Sequence, residues 1–478
     1  MDTELILPGD RVLKHQHSIR DKALKINLNK NIYGSFSEIG AGQETARHFF
    51  RAGAASRTIA KTMSAYDKQF SDAIYTTEAD GRYVTETRLR KMLDYEFNLL
   101  LDRIDPTINP ERYYFSFANT VATIDFAKKF KGHGWLGVKF QTCPGEKVNE
   151  IVVHVQFKEN DANLQQQTLG ILGVNLIYGA FYYNHSPKKL IDQLYDHLDT
   201  DQIEIDTINF SGPCFEKVDN RLMSLYLVKS HMTEAVMFSP DAKNVLPANV
   251  LFKKNVLILR GSFRPVTTVN INMYKKSLDL FLKENNLSEE NTQVIFEITL
   301  YNLLKQGDLD ENDFLSRAEL LCALGYTVMV SNFKEYFKVI DYCSQYSQEF
   351  KALTIGVNSL YEIFNERHYH DLSGGVLEGL GRLFKDNLKI YLYPIIDKKT
   401  EEITSSKNLK LTCQDMQPFY EYFVNKKQII DIENYEFKNL KIFSQDVLDR
   451  LKNNDESWKT MVPDEVAEII EKRNLFRE

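Results

Sequence analysis

The chain has 478 residues, enough for two or three domains of ordinary size. Lysine and arginine number 59 against 66 aspartates and glutamates, which gives a formal net charge of −7. That mild acidity excludes a dedicated nucleic-acid binder, whose surface would be basic. A hydrophobic fraction of 43% and a charged fraction of 26% are those of a globular protein, and they exclude a disordered or collagen-like chain.

The spacing of the cysteines and the lengths of the apolar segments indicate the cellular compartment in which we expect the protein. The five cysteines lie far apart and form no C-x-x-C pair, which predicts a reducing environment without a disulfide framework. Residues 1–18 contain no long apolar segment, so no secretory signal is predicted. No run of about 18 apolar residues occurs, so no membrane span is predicted either. We expect a soluble, cytoplasmic protein without nucleic-acid or membrane partners, and a homo-oligomer is compatible with this composition.

The first half of the chain alternates between strand and helix patterns. Residues 23–29 (ALKINLN) predict a short strand, and residues 37–53 predict a helix. Residues 85–104 place apolar side chains at i, i+3 and i+4, which predicts an amphipathic helix. Runs rich in β-branched and aromatic residues predict four further strands, at 112–122, 134–142, 150–157 and 202–210. These patterns together predict an α/β region.

The second half is more regular. Five short apolar runs predict strands at 255–260, 293–299, 326–331, 353–357 and 388–394. Because helices of about a dozen residues separate several of these strands, we expect parallel strands with right-handed crossovers, hence a doubly wound sheet. Two prolines within residues 240–254 favour a boundary there. The sequence thus predicts two α/β domains, residues 1–250 with unknown role and residues 251–478.

The turn after the strand at 255–260 is the strongest candidate site. Ligands of open α/β sheets bind at the carboxyl ends of strands, where a helix N-terminus offers free N–H groups to a phosphate. Gly261 would let the backbone approach a nucleotide, and Thr267 would supply a hydroxyl near the helix start. The alternative is an ordinary turn in which Thr267 caps the helix.

A family resemblance begins at this turn. Residues 261–270 (GSFRPVTTVN) are similar to the first signature of the nucleotidyltransferases that make nicotinate-nucleotide or pantetheine-phosphate adenylates, G-[ST]-F-D-P-x-[HT]-x-G-H. Arg264 stands where Asp is usual, Val269 where Gly is usual, and Asn270 where a phosphate-contacting His is usual. Five positions match the signature: Gly261, Ser262, Phe263, Pro265 and Thr267.

The C-terminal residues 442–476 extend the resemblance. They are similar to the end of the nicotinate-nucleotide adenylyltransferases, where an I-S-S-T-x-x-R turn starts a helix and V-P-x-x-V-x-x-Y-I follows. Leu448 stands where an Arg would hold a phosphate. The matching positions include Ile442, Ser444, Val462, Pro463, Val466 and Ile470. The resemblance covers residues 255–478, and the two-part layout also resembles a bacterial family of such chains that carries the adenylyltransferase label.

The resemblance implies a Rossmann-type second domain that binds a small-molecule nucleotide. It implies adenylyl transfer from ATP, with Mg²⁺, to nicotinate or nicotinamide mononucleotide, a step of NAD biosynthesis. Residues of the two motifs would bind the nucleotide: Gly261, Ser262, Phe263 and Ser444. Three others would assist the transfer: Arg264, Thr267 and Asn270. No metal-ligand cluster of the protein's own is predicted.

Two other interpretations stay open. The loss of the His and the Arg from the two motifs favours a non-catalytic nucleotide-binding or assembly protein. Alternatively, the first half contains the active site, around four polar residues in strand-like segments: His133, His154, Glu204 and Asp206. The Gly-rich residues 34–43 offer a further candidate phosphate or cofactor loop in that half.

Overall fold

The computed structural model describes residues 17–75, 77–78, 81–105, 107–304, 309–397 and 400–477. Residues 1–16, which form most of the segment with no predicted secretory signal, lie outside the described residues. The chain divides into two compact units, the first ending at Thr233 and the second beginning at Glu234. This division lies earlier than the predicted boundary between residues 250 and 251, because a strand at Ala235–Phe238 pairs into the second unit's sheet.

The elements of the first unit, in chain order, are α1 (Ile19–Leu28), β1 (Ile32–Gly40), α2 (Thr45–Ala52), β2 (Ile59–Ala65), α3 (Lys68–Ile74), α4 (Glu86–Arg103), β3 (Tyr113–Ala122), β4 (His133–Phe140), β5 (Asn149–Phe157), α5 (Ala162–Tyr182), α6 (Pro187–Leu194), β6 (Ile203–Ser211) and α7 (Asn220–Lys229).

The first unit is built on a mixed six-stranded sheet in the order β2-β1-β3-β4-β5-β6. Strand β1 pairs in parallel with β2 and β3, and the remaining neighbours from β3 to β6 are antiparallel. Helix α4 packs on β3 and β4, whereas α1, α2 and α5 pack on one another over the main apolar core. The sheet is therefore covered by helices on both faces.

The predicted strand at residues 23–29 is wrong, because this segment belongs to helix α1. Helical spacing buries Lys22, Ala23, Ile26 and Asn27 on one face and leaves Leu28 64% exposed. The helix predicted over residues 37–53 is also corrected: β1 continues to Gly40, and α2 begins at Thr45. The amphipathic helix predicted at 85–104 is confirmed as α4, capped by the Thr85 hydroxyl, which accepts from the Arg88 N–H at 3.1 Å.

The elements of the second unit are β7 (Ala235–Phe238), β8 (Asn244–Val245), α8 (Pro247–Leu251), β9 (Asn255–Arg260), α9 (Thr268–Asn285), β10 (Thr292–Thr299), α10 (Leu300–Leu304), α11 (Glu311–Ala323), β11 (Thr327–Ser331), α12 (Tyr336–Tyr346), β12 (Lys351–Gly356), α13 (Val357–Ile363), α14 (Gly375–Leu383), β13 (Lys389–Tyr393), β14 (Ile395–Ile396), β15 (Ile403–Thr404), α15 (Gln417–Asn425), β16 (Ile429–Asp431), α16 (Ser444–Lys452) and α17 (Asp464–Arg473).

The second unit is built on an eight-stranded sheet in the order β16-β13-β12-β9-β10-β11-β7-β8. The six strands from β16 to β11 are parallel, and β7 and β8 add an antiparallel edge. Helices α12, α13 and α14 share a core with Ile258 and Leu353 on one face. On the other face α9 places Tyr274 against Phe296 and Phe281 against Tyr391. The predicted doubly wound sheet is confirmed. The five strands predicted in the second half of the chain correspond to β9, β10, β11, β12 and β13, and their ends differ from the predicted ends by at most two residues.

All five cysteines lie among the described residues and are free thiols. In the part of the chain that the structure describes, no helix combines the length and the apolar character needed to cross a membrane.

Candidate functional site

The signature segment, residues 261–270, begins at a topologically special point of the second sheet. From β9 the chain proceeds outward through β10 and β11 on one side, and then returns to build β12 and β13 on the other side. The strand order therefore reverses between β9 and β12. In open α/β sheets ligands bind at the carboxyl ends of the strands at such a reversal. The segment that follows Arg260 lies at this edge.

Two glycines lie beside each other at this reversal. Thr354 of β12 pairs with Leu259 of β9, so Gly356 is level with Gly261, two residues farther along each strand. A Cβ added to Gly356 would meet no atom within 4 Å, whereas one added to Gly261 would meet the Phe263 ring at 3.0 Å. The space beside the Gly356 Cα is therefore open, whereas an aromatic ring fills the space beside Gly261. Sequence reasoning missed Gly356, because its significance depends on the pairing register.

Phe263 is a core residue in this turn. Its side chain is 2% exposed and packs against Phe296 with 5.3 Å between ring centroids. Its backbone has a φ of 46°, in the left-handed region that is uncommon for a non-glycine residue. The ring consequently occupies the space over Gly261 where the sequence had predicted an approaching nucleotide.

Thr267 and Asn270 are brought together as a capping box at the start of α9. The Thr267 N–H and hydroxyl donate to Asn270 Oδ1 at 2.9 and 3.0 Å, and the Asn270 N–H donates to Thr267 Oγ1 at 3.4 Å. Thr267 is also buried. The structure thus gives both predicted catalytic residues a helix-capping role, and their polar atoms bond to each other.

Arg264 is bound by the protein's own carboxylate. Its guanidinium forms an ion pair with Asp313, which also pairs with Arg317. Arg317 in turn donates to the Ser262 carbonyl at 3.1 Å, while the Ser262 side chain remains exposed. Two cations and one carboxylate therefore hold the turn in place, and the charge of Arg264 is partly neutralised.

A cleft of about 180 Å³ adjoins Arg264. It is also lined by Leu448, at the position where the family pattern has a phosphate-binding Arg, and by Lys452. Ser444 begins α16, one turn before Leu448, and does not belong to this lining. The structure therefore brings the two motifs to one cleft through Arg264 and Leu448, but not through Ser444.

The residues of this cleft do not fit a Mg²⁺ ion. Asp313 pairs with the two arginines, and Glu319 pairs with Arg473 at 2.6 Å. Asp310 accepts from the Asn312 and Asp313 N–H groups at the start of α11. Mg²⁺ requires several oxygen ligands in octahedral geometry. Each lining carboxylate thus pairs with an arginine or caps a helix, and three cationic side chains, Arg264, Lys452 and Arg473, line the same cleft. This lining disfavours a divalent cation, and no catalytic step is assigned to a metal here.

The first unit brings together three of its four predicted site residues. His133 Nδ1 lies 3.2 Å from His154 Nε2, and His154 Nδ1 lies 2.7 Å from Asp206 Oδ1. Glu204 lies apart from this chain of contacts: it accepts from the Thr233 hydroxyl at 2.6 Å and pairs with Lys158. The alternative of polar residues clustered in the first half thus has a geometric basis.

The Gly-rich residues 34–43 form strand β1 and the loop before α2. Within them Glu38, 3% exposed, accepts from the Thr45 and Ala46 N–H groups at 2.9 and 3.2 Å. Asn119 donates to the same carboxylate at 3.3 Å and to the Gly42 carbonyl at 2.9 Å. The first N–H groups of α2 therefore bind an internal carboxylate, which takes the place that a phosphate would have in a phosphate loop.

Replacing Glu38 by glutamine should flatten the pH dependence of the first unit's stability. Burial raises the pKa of Glu38 to about 7, so the folded unit keeps a proton that the unfolded chain releases above about pH 4.5. The stabilisation is complete below about pH 4.5 and is lost as the pH rises through 7. We expect wild type to lose about 3 kcal/mol more than Glu38→Gln across this window.

Urea unfolding at a series of pH values measures this difference. Exposed Glu111→Gln is the matched control and should retain the wild-type dependence. Parallel curves for wild type and Glu38→Gln would contradict the prediction.

Comparisons with known proteins give no family assignment. No family model matches the sequence, and no curated protein sequence matches it. One similar solved structure is the competence/damage inducible protein CihA from Agrobacterium tumefaciens, 14% identical over 33% of this chain and 90% of that chain, with a TM-score of 0.23. Another is a competence-damaged protein (CinA) superfamily protein from Enterobacter cloacae, 11% identical over 40% of this chain and 99% of that chain, with a TM-score of 0.26. Neither TM-score reaches 0.5, so a function has to be inferred from this chain's own residues.

Proposed function

We propose that the second unit binds a nucleotide at the carboxyl edge of β9 and β12, without transferring adenylate through its signature residues. The observation that supports this proposal is the position of residues 261–270 at the reversal of strand order. A segment similar to a nucleotide-binding signature lies where open α/β sheets bind their ligands. Gly356 leaves open space on the neighbouring strand at the same level.

The state of the signature residues supports binding rather than transfer. Adenylyl transfer needs donors and cations aimed at the charge that develops on the transferred phosphate. Thr267 and Asn270 instead form the capping box of α9, and Arg264 pairs with Asp313. The family's phosphate-binding Arg position is occupied by Leu448 in the adjoining cleft. Loss of a cation and an imidazole from such a site costs several kcal/mol of transition-state stabilisation, at about 1.4 kcal/mol per tenfold in rate.

Filling the open space should weaken nucleotide binding. Gly356 has a φ of −87°, which any residue tolerates, so Gly356→Trp places an indole in this open space without backbone strain. We expect calorimetry to detect ATP binding to wild type and an affinity at least about tenfold lower for this variant. Gly381→Trp is the matched control, since a Cβ at Gly381 also meets no atom within 4 Å but lies on the exposed surface of α14. Absence of ATP and ADP binding to wild type would overturn the proposal.

Pyrophosphate release tests the transfer step separately. Wild type is incubated with ATP, Mg²⁺ and either nicotinate or nicotinamide mononucleotide, beside Asn270→His. We expect no release by wild type. Turnover by wild type that Gly356→Trp abolishes would instead establish an adenylyltransferase at this edge and contradict the binding-only proposal.

A further inference from the structure

A chain of polar side chains crosses three adjacent strands of the first unit. It runs from His133 on β4 through His154 on β5 to Asp206 on β6, with contacts of 3.2 and 2.7 Å. Gln156 completes the chain by donating to Asp206 Oδ2 at 2.8 Å. His154 and Asp206 are 3% and 4% exposed, and the Trp135 ring covers His154 with 4.8 Å between ring centroids. Two ionisable groups are thus held together away from water.

These contacts allow the following order of protons. The Asp206 carboxylate accepts from His154 Nδ1, and His154 Nε2 in turn accepts a hydrogen bond. His133 then donates from Nδ1 to that nitrogen. The Nε2 atom of His133 therefore carries a lone pair and forms the end of the chain.

A β-bulge directs Asp206 toward His154. Along β6 the pairing with β5 shifts between His154 and Val155, which face Thr207 and Ile205, so Asp206 is left without a paired residue. Ile205 and Ile208 both belong to the main core. In a regular strand, residues three positions apart would lie on opposite faces of the sheet. The bulge absorbs the extra residue and places the Asp206 side chain on the opposite face. Such bulges are common beside active sites, where they re-aim a side chain.

The chain ends at one accessible atom. Within the described residues the Asp206 oxygens and both nitrogens of His154 have partners, whereas the hydrogen bond of His133 uses Nδ1 alone. His133 is half-buried, and its Nε2 is not among the buried polar atoms that lack a partner. Burial and the neighbouring His154 lower the pKa of His133 to about 4, with an opposing effect of Asp206 and a further lowering by Arg82. His133 is therefore a neutral imidazole near pH 7.

The segment before His133 indicates the charge of a ligand. Residues 125–131 expose Phe126 and Phe130, at 105% and 75%, together with three exposed lysines, Lys128, Lys129 and Lys131. Arg82 is close enough to influence His133 electrostatically. Exposed lysines within five positions of His133 in the chain, together with the influence of Arg82, favour an anionic ligand.

We propose that the first unit contains an acid–base site in which His133 Nε2 takes a proton from a bound anionic ligand. The N–H bond forms at Nε2 while the ligand's O–H or N–H bond breaks, and the ligand keeps the electron pair. The Nδ1 proton of His133 passes to His154 Nε2, so the positive charge comes to lie on His154 beside the Asp206 carboxylate. His133 is the catalytic residue, and His154 and Asp206 are positioning residues. This site is independent of the nucleotide site proposed for the second unit.

Nitrogen-15 NMR of the histidine-labelled full chain tests the proton order. The expected result is that His133 has a protonated Nδ1 and an unprotonated Nε2 at neutral pH, the opposite of the tautomer that free imidazole side chains prefer. His133→Gln identifies the signals, and Asp206→Asn should change the His133 tautomer or its titration without unfolding the unit. Protonation of His133 at Nε2 alone would reverse the chain and overturn the proposal.

Acylation by diethyl pyrocarbonate, which modifies unprotonated imidazole nitrogens, tests access and ligand charge. Peptide mass spectrometry should find His133 still modified near pH 5, whereas modification of free N-acetylhistidine, added as a reference with the ordinary imidazole pKa of about 6.5, falls at least tenfold from its value near pH 7. Inorganic phosphate, used as the anionic probe, should protect His133 and leave His185 unprotected. Failure of His133 to react would overturn the acid–base site, and failure of phosphate to protect it would overturn the anionic ligand.

Discussion

Replacing Arg260 by methionine should lower the second unit's free energy of unfolding by about 3–5 kcal/mol. Arg260, at the end of β9, binds Glu297 of β10 through two hydrogen bonds of 2.8 Å each. The two side chains are 6% and 0% exposed. Among the described residues, the methionine variant would leave the buried carboxylate with the Ser331 hydroxyl as its remaining side-chain donor. The variant also loses the contact of the guanidinium with the Tyr336 ring, at 4.3 Å.

The double variant Arg260→Met/Glu297→Leu measures whether the attraction within the ion pair exceeds the cost of removing both charges from water. A buried ion pair replaced as a whole by apolar residues is often neutral in stability, so we expect the double variant to recover most of the loss. The chain has two tryptophans, Trp135 in the first unit and Trp458 in the second. In a Trp135→Phe background, the fluorescence of Trp458 during urea unfolding reports the second unit alone. A single variant within about 1 kcal/mol of wild type would contradict the prediction.

The second sheet was largely predictable because its strands are short apolar runs with helices between them. Parallel strands that are covered on both faces must be apolar along their length, as Val256–Leu259 shows within β9. The antiparallel edge at β7 was not predicted, because the sequence contains no signal for a strand that pairs far along the chain with β11. Because this strand was missed, the predicted domain boundary, between residues 250 and 251, lies later in the chain than the observed start of the second unit at Glu234.

The position of the candidate turn was predicted from the sequence, whereas the contacts of its side chains were not, and nucleotide binding there stays a prediction. The turn after β9 was found from its strand-to-helix position, and the alternative of Thr267 as a helix cap agrees with the observed capping box. The sequence did not reveal that Asp313 binds Arg264, since 49 positions separate them. In the first unit the grouping of His133 with His154 and Asp206 was proposed, whereas the bulge at Asp206 depends on strand register and has no local sequence signal.

The wrong prediction of a strand at residues 23–29 arose from the alternation of apolar and polar residues in this segment. Leu24, Ile26 and Leu28 alternate with polar residues, which is the pattern of a half-buried strand. The helix instead exposes Leu28 and buries a lysine. Because lysine side chains are mostly exposed in proteins, the hydrophobic pattern predicts that this lysine lies at the surface. A buried lysine needs a partner, which can lie far away in the sequence. Here the partner is Asp196, whose carboxylate lies 2.6 Å from Lys22 Nζ.

Replacing Lys22 by methionine should therefore destabilise the first unit by about 3–5 kcal/mol, although methionine is more apolar and a good helix former. The Lys22 ammonium is 1% exposed and donates to Asn175 Oδ1 at 2.7 Å, to Gln193 Oε1 at 3.1 Å and to Asp196. The variant removes one charge and leaves three buried or partly buried acceptors without their common donor. An unpaired charge of this kind costs more than the added apolar surface contributes.

Urea unfolding followed by Trp135 fluorescence in a Trp458→Phe background measures this loss in the first unit. Exposed Lys30→Met is the matched control, expected within about 0.5 kcal/mol of wild type. In the double variant Lys22→Met/Asp196→Asn we expect partial recovery, because the amide carries no charge and can still accept or donate. A stable Lys22→Met single variant would mean that the ammonium is not needed to satisfy these acceptors, and that hydrophobic spacing alone holds α1 against α5. Recovery in the double variant would instead show that the loss in Lys22→Met comes from the unpaired carboxylate of Asp196, 174 positions away in the chain.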